Sequence, residues 1–327
     1  MSSFIIRRLI YMVPTILVLS IVVFVIIQLP PGDWLTSYVA GMRAAGDEVS
    51  PERIDILRER YGFDQPMHVK YFKWITGIFR GDFGFSFSWN KPVGELIWSR
   101  MGLTLLVSIS TLIFTWIVSF AIGLYSATHQ YSIGDYLATF IGFIGLATPN
   151  FMLALILMYL SFEFFGYSIS GLFSYEYANA PWSIAKLIDL LKHLWIPIIV
   201  SGTAGTAGLI RILRANLLDE LGKPYVVTAK TKGVSNLKIL FKYPVRIALI
   251  PFISTVGWTF ASLISGSVIT AIVLNLPTAG PMLLQALKTQ DMYLAGSFIF
   301  FLSILTVIGT LVSDILLAIV DPRIRYK

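Results

Sequence analysis

Cysteine is absent from the 327 residues, which removes disulfide frameworks, thiolate metal sites and thiol nucleophiles together. Charge is scarce as well. Only 13% of the residues are Asp, Glu, Lys or Arg, against roughly 25% in soluble domains. With 56% hydrophobic residues and a mean hydropathy of +0.76, a water-facing surface would have little to cover it. Lipid as the solvent removes that difficulty, because each spanning helix needs about 20 mainly apolar residues.

Other absences narrow the chemistry. His68, His129 and His193 lie far apart, so no metal or catalytic cluster has local support. No HExxH, no GxSxG and no paired carboxylates occur in or near an apolar stretch. A phosphate-binding loop is missing too: the only Gly-Lys pair, Gly222-Lys223, is followed by Pro224, and Leu217 stands where the motif needs its first glycine. The chain is expected to be no enzyme, to hold no cofactor or metal of its own and not to hydrolyse ATP. The net charge of +7 does not point to nucleic acid, since the basic residues sit in short segments between apolar stretches.

What is present is a set of long apolar runs. Six can span: Ile10–Leu29, Leu103–Ala127, Tyr136–Phe164, Leu194–Leu213, Ile247–Val273 and Ala295–Val320. The expectation is an all-α integral membrane protein of about six spanning helices. The third run carries Pro149 and reads either as one kinked helix or as two shorter elements. The first follows Arg7 and Arg8, as a secretory signal would. Its apolar run is too long, however, and it ends in Gln28-Leu29-Pro30-Pro31-Gly32-Asp33 without a small-x-small site, so an uncleaved helix is expected.

Orientation follows from charge. Arg7 and Arg8, the tail residues Arg323, Arg325 and Lys327, and the loop carrying Arg211, Arg214, Lys223, Lys230, Lys232, Lys238, Lys242 and Arg246 share one side of an even number of spans. That side is expected to be the cytoplasm, with both termini there. The segment from Asp33 to Arg100 holds nine basic and nine acidic residues and shows no such bias. Three parts are therefore expected: 1–29 as tail and first helix, 30–102 as a small, mostly helical external lobe, and 103–327 as a five-helix core with a cytoplasmic loop at 214–246. In the lobe, Ser50-Pro51-Glu52 reads as a helix start running to Tyr61 and stopping at Gly62. Tyr71, Phe72, Ile75, Ile78 and Phe79 form an apolar stripe at helical spacing.

Intramembrane charge, the usual mark of ion coupling, is nearly missing. Asp314 alone lies clearly within an expected span, near its cytoplasmic end, where a basic neighbour can reach it. Capping or anchoring suits it better than proton relay.

The loop 219–251 is the informative segment. Pro224 fits a first helical position and Gly233 a left-handed helix stop. Ser235 is placed to cap a second helix whose Leu237, Ile239, Leu240 and Phe241 give an apolar face. Physically, such a basic helix pair could lie on anionic headgroups or dock into a partner's groove.

Tyr225-Val226-Val227-Thr228-Ala229-Lys230-Thr231-Lys232-Gly233, with Pro251 eighteen residues on, resembles the EAA coupling loop of permeases in oligopeptide- and dipeptide-type ABC importers. Arg7-Arg8 through Pro14, the Leu29–Asp33 exit, Gly62–Pro66, Tyr71, Gly81–Ser86, His193–Pro197 and Asp321–Arg325 extend the resemblance over essentially the whole chain. Departures are Val227 for glutamate, Lys230 for arginine, Thr231 for alanine, Gly102 for proline, Ala271 for glutamate, and Leu276–Gly280 for a P-G-x-G turn. The resemblance implies a multi-pass inner-membrane permease forming half of a translocation pathway. It also implies a second homologous permease, two cytoplasmic ATPase subunits carrying ATP and Mg, and an external substrate-binding protein. A peptide or an oligosaccharide is the implied solute. Tyr225, Thr228, Ala229, Lys230, Lys232, Gly233 and Ser235 would then couple the chain to an ATPase. The competing reading, an ion-coupled secondary carrier or channel, is disfavoured by the charge-poor spans.

Overall fold

The computed structural model describes residues 2–46, 50–61, 64–166, 169–266 and 268–320. The helix stop at Gly62 and the Asp321–Arg325 tail lie outside the described residues.

The chain is helical almost throughout. It opens with α1 (Ser2–Gln28), followed by the shorter α2 (Trp34–Ala44), α3 (Pro51–Tyr61) and α4 (Met67–Phe79). Two residues each of β1 (Phe85–Ser86) and β2 (Lys91–Pro92) pair antiparallel as a minimal hairpin. Then come α5 (Val93–Thr128), α6 (Ile133–Ala147), α7 (Asn150–Phe165), the single turn α8 (Tyr175–Ala178) and the 38-residue α9 (Ile184–Leu221). Two short helices, α10 (Pro224–Thr231) and α11 (Asn236–Lys242), precede α12 (Pro244–Ser254), α13 (Val256–Ser265) and α14 (Val268–Val273). The series closes with α15 (Ala279–Lys288) and α16 (Met292–Val320).

Among the described residues, α1, α5, α9 and α16 are long and apolar enough to cross a membrane, and the pair α6–α7 makes a fifth crossing if counted together. That pair answers the question left open at Pro149. It is two helices bent by 106°, because Thr148 is extended (ψ 122°) and the proline ring at the N-cap of α7 cannot continue α6. The expected span at Ile247–Val273 is three helices in the structure, α12 to α14, interrupted at Thr255 and at Gly266, whose φ is +56°. Helix α9 begins ten residues before the expected Leu194. The charges that end the apolar run there are satisfied locally: Lys186 Nζ donates to the Ala180 carbonyl (2.6 Å), Asp189 accepts from the Ser174 N–H (2.8 Å) and hydroxyl, and His193 Nδ1 meets the Asp189 carbonyl at 2.8 Å.

Two compact units emerge. One comprises residues 1–9, 105–276 and 306–327. Its core packs Leu209, Leu213 and Leu217 of α9 against Val245, Ala248 and Phe252 of α12, with Ala127 and Trp116 of α5. Within it, Arg8 Nη1 pairs with Asp314 at 3.2 Å, so the intramembrane aspartate has the basic neighbour expected of it. The other unit comprises residues 10–104 and 277–305. Here Val23 and Phe24 of α1, Trp74 and Ile75 of α4, and Phe300 of α16 form the core. Asp291 caps α16, accepts from the Leu294 N–H (3.3 Å), and receives the Ser86 hydroxyl (2.6 Å) and the Ser88 N–H (3.1 Å), which fastens the hairpin to that helix.

Candidate functional site

The residues singled out from sequence sit on an elbow made by α10 and α11 between the long helix α9 and α12. Local chemistry explains the elbow. Lys223 is extended (ψ 148°), so α9 ends at Leu221 with Gly222 as its C-cap, and Pro224 then starts α10, its missing N–H falling at a position that needs none. At the other end, Gly233 N–H donates to the Lys230 carbonyl (3.0 Å) and Val234 N–H to the Ala229 carbonyl (3.3 Å). These two bonds are the Schellman pattern, and Gly233 has the φ of +75° that it requires. Ser235 occupies the N-cap position of α11, but its side chain makes no capping bond, so the capping role expected of that hydroxyl is not found.

Two tyrosines fix the elbow to its supports. The Tyr225 hydroxyl donates to Glu220 Oε2 at 2.5 Å, and its ring stands edge-on to Tyr243 with centroids 6.2 Å apart. Burial, then the hydrogen bond to the Glu220 carboxylate, pushes the Tyr225 phenol well above its ordinary range. Lys223 lies beside Asp219 (3.1 Å), which raises its ammonium above its usual value through that hydrogen bond and charge. Val226 and Ile239 are buried beneath the elbow, and Leu240 packs on the α9–α12 core. The elbow is therefore seated on the unit rather than hinged from it.

The structure sorts the expected coupling residues. Lys230, Lys232, Gly233 and Ser235 are exposed, and Thr228 is exposed but its hydroxyl is returned to the Pro224 carbonyl (2.9 Å). Ala229 is half-buried. Tyr225 faces inward as an anchor. The apolar face expected of α11 divides in two: Ile239 and Leu240 turn in, whereas Leu237 is 71% exposed and Phe241 52%. Val227 of α10 is 55% exposed as well, and Lys230, Lys232, Lys238 and Lys242 of the same two helices are exposed. Exposed large aliphatic and aromatic side chains mixed with charge are the composition of a docking surface.

Sequence reasoning missed Asp135. It accepts both Nε (3.0 Å) and Nη2 (2.8 Å) of Arg214, and also the Tyr131 N–H (3.0 Å). Arg214, read from the sequence as one more loop cation, ties α9 to the start of α6. Among the described residues no group of three His, Asp or Glu is placed to hold a metal ion.

Comparison with known proteins gives a consistent result. The family model described as "Binding-protein-dependent transport system inner membrane component" matches residues 119–326, and its N-terminal companion matches residues 1–110. The oligopeptide transport system permease protein AppB of Bacillus subtilis (strain 168) is 37% identical over the full length of both chains. The glutathione transport system permease protein GsiC of Escherichia coli (strain K12) is 30% identical, again over the full length of both. Among solved structures, the inward-facing MetNI methionine ABC transporter matches with a TM-score of 0.52 at 15% identity, covering 69% of this chain and 98% of that one, a likeness of fold.

Proposed function

The chain belongs to the inner-membrane components of binding-protein-dependent transport systems, the permeases of ABC importers, and from that premise we propose that it carries peptides and is driven through the α10–α11 elbow by a separate ATPase. A peptide solute is favoured over an oligosaccharide because the full-length relatives are named for oligopeptide and for glutathione. The chain works with a second homologous permease, two cytoplasmic ATPase subunits that bind ATP and Mg, and an external binding protein that delivers the solute. Both termini and the elbow face the cytoplasm, as the basic bias of those segments requires, and the lobe at residues 30–102 faces outward.

The observation that carries this reading is the exposure of Val227, Leu237 and Phe241, with four exposed lysines on the same two helices, on a support held by the Tyr225–Glu220 bond and the packing of Leu240. Such a surface fits a partner groove that is apolar at its centre and acidic at its rim. ATP-driven closure of the ATPase pair then pushes on α10 and α11. The Tyr225–Glu220 bond and the Leu240 contacts pass that displacement to α9 and α12, and the pathway they border changes its opening. Tyr225, Ala229 and Gly233 shape the elbow, while Thr228, Lys230, Lys232 and Ser235 lie on its outer side. Purification of the tagged chain from its native membrane in mild detergent tests the assembly. Recovery of a second permease and two ATPases is expected, and recovery of the chain alone or as a homo-oligomer would contradict it.

A further inference from the structure

A cavity of about 330 Å³ opens within the unit formed by residues 1–9, 105–276 and 306–327, in the size range of small-molecule sites. Four helices border it. Thr115 comes from α5, Asn150 from the start of α7, Ser201, Gly205 and Gly208 from one face of α9, and Ser262 from α13.

The glycines of α9 serve two different ends. At Gly202 a side chain would meet Phe114 of α5 at 2.9 Å, so that glycine exists to let two helices approach. At Gly208 a Cβ would find nothing within 4 Å, and at Gly205 only the Thr115 methyl at 3.5 Å. Their smallness is not used for packing within this chain; it keeps the space open. The polar members point the same way, because hydroxyls and an amide in a membrane-embedded wall belong beside a water-filled or solute-filled space rather than beside lipid. Among the described residues that line the cavity there is no ionisable group.

We propose that this cavity is a section of the solute path, and that it takes the peptide main chain through neutral hydroxyl and amide groups without reading side-chain charge. The inference rests on the importer reading above. The Ser201 hydroxyl and the Asn150 amide can donate and accept, while the Thr115 and Ser262 hydroxyls, which donate to the Gly202 and Thr259 carbonyls, keep acceptor capacity; together they suit the alternating N–H and C=O groups of a peptide backbone. A neutral wall also leaves no buried charge uncompensated when an acidic or a basic peptide passes.

The absence of cysteine makes the test direct. Ser201→Cys, Gly205→Cys and Ser262→Cys are each built into the chain within the assembled, reconstituted importer, with Ile156→Cys on the exposed face of α7 as the control. The first and third are near-isosteric, and the second has room for its Cβ. Each is treated with a cationic trimethylammonium-ethyl and an anionic sulfonatoethyl methanethiosulfonate, and rates are scaled to those with a free thiol. The cavity positions should react at least tenfold faster than Ile156→Cys, with the two reagents within threefold of each other, and labelling should stop uptake. Rates no faster than the control, in an importer that still transports, would overturn the cavity assignment and leave the importer reading standing. A tenfold preference for one reagent would overturn charge-blindness. Failure of the chain to assemble with ATPases would instead strike at the importer reading.

Discussion

Arg214 holds Asp135 with both arms of its guanidinium, Nε to Oδ1 at 3.0 Å and Nη2 to Oδ2 at 2.8 Å, across 79 positions of sequence. The aspartate side chain is 4% exposed and the arginine 28%. The pair ties the start of α6 to α9 ten residues before the elbow begins, so whatever displaces the elbow is shared with α6. Removing the arginine leaves the buried aspartate charge without compensation, a loss of about 3–5 kcal/mol. Arg214→Ala should therefore lower the melting temperature of the solubilised complex sharply, and Asp135→Ala, which leaves a partly exposed arginine, should lower it less. Arg214→Lys should recover only part of the contact, because an ammonium cannot form the two-armed fork. The exchange Asp135→Arg with Arg214→Asp should melt higher than Asp135→Arg alone; no recovery would show that the pair does not act as a unit.

Tyr225 sets a second expectation. Phenylalanine keeps its ring against Tyr243 but loses the bond to Glu220, a charged acceptor, which contributes about 1.5–3 kcal/mol. Uptake should fall several-fold in Tyr225→Phe while ATP hydrolysis continues, because the lever slips. Equal loss of both activities would point to misfolding instead.

The same tyrosine predicts a pH profile. Its phenol is raised in the folded chain by burial and by Glu220. The stabilisation is thus fully present below the unfolded value of about 10 and is lost as pH rises through the folded one. Coupling, read as uptake per ATP hydrolysed, should be unaffected by Tyr225 ionisation between pH 6 and 9. A break in the coupling ratio inside that window that vanishes in Tyr225→Phe would contradict the assignment.

Gly233 tests the elbow's backbone. Its left-handed φ of +75° costs an L residue about 1–2 kcal/mol, less for asparagine. No atom lies within 4 Å of a Cβ there, so space is not the constraint. Gly233→Asn should retain more coupled uptake than Gly233→Ala, and Gly233→Asp should impair coupling. If transport and ATPase coupling survived Gly233→Asp unchanged, the elbow would not be the lever.

How far the sequence could be read depended on distance along the chain. Pro224 and Gly233 announce their helix boundaries because proline and glycine act on their own backbone, and Pro149 marked a break although not its 106° angle. The early start of α9 was hidden because Lys186, Asp189 and His193 look like loop residues until Ser174 and Ala180 are seen to satisfy them. Periodicity gave α11 an apolar face but could not tell that Leu237 and Phe241 point away from Ile239. Asp135 lay one residue outside an expected span, and nothing nearby in sequence named Arg214 as its partner.

The central claim is that the α10–α11 surface seats on an ATPase. It is tested most directly by placing single cysteines at Leu237 and Phe241 of the cysteine-free chain and treating native membranes with a short bifunctional thiol–amine cross-linker. Both positions should join the chain to an ATPase subunit, while Ile156→Cys should not. An assembled complex in which neither Leu237→Cys nor Phe241→Cys reaches an ATPase would contradict the account.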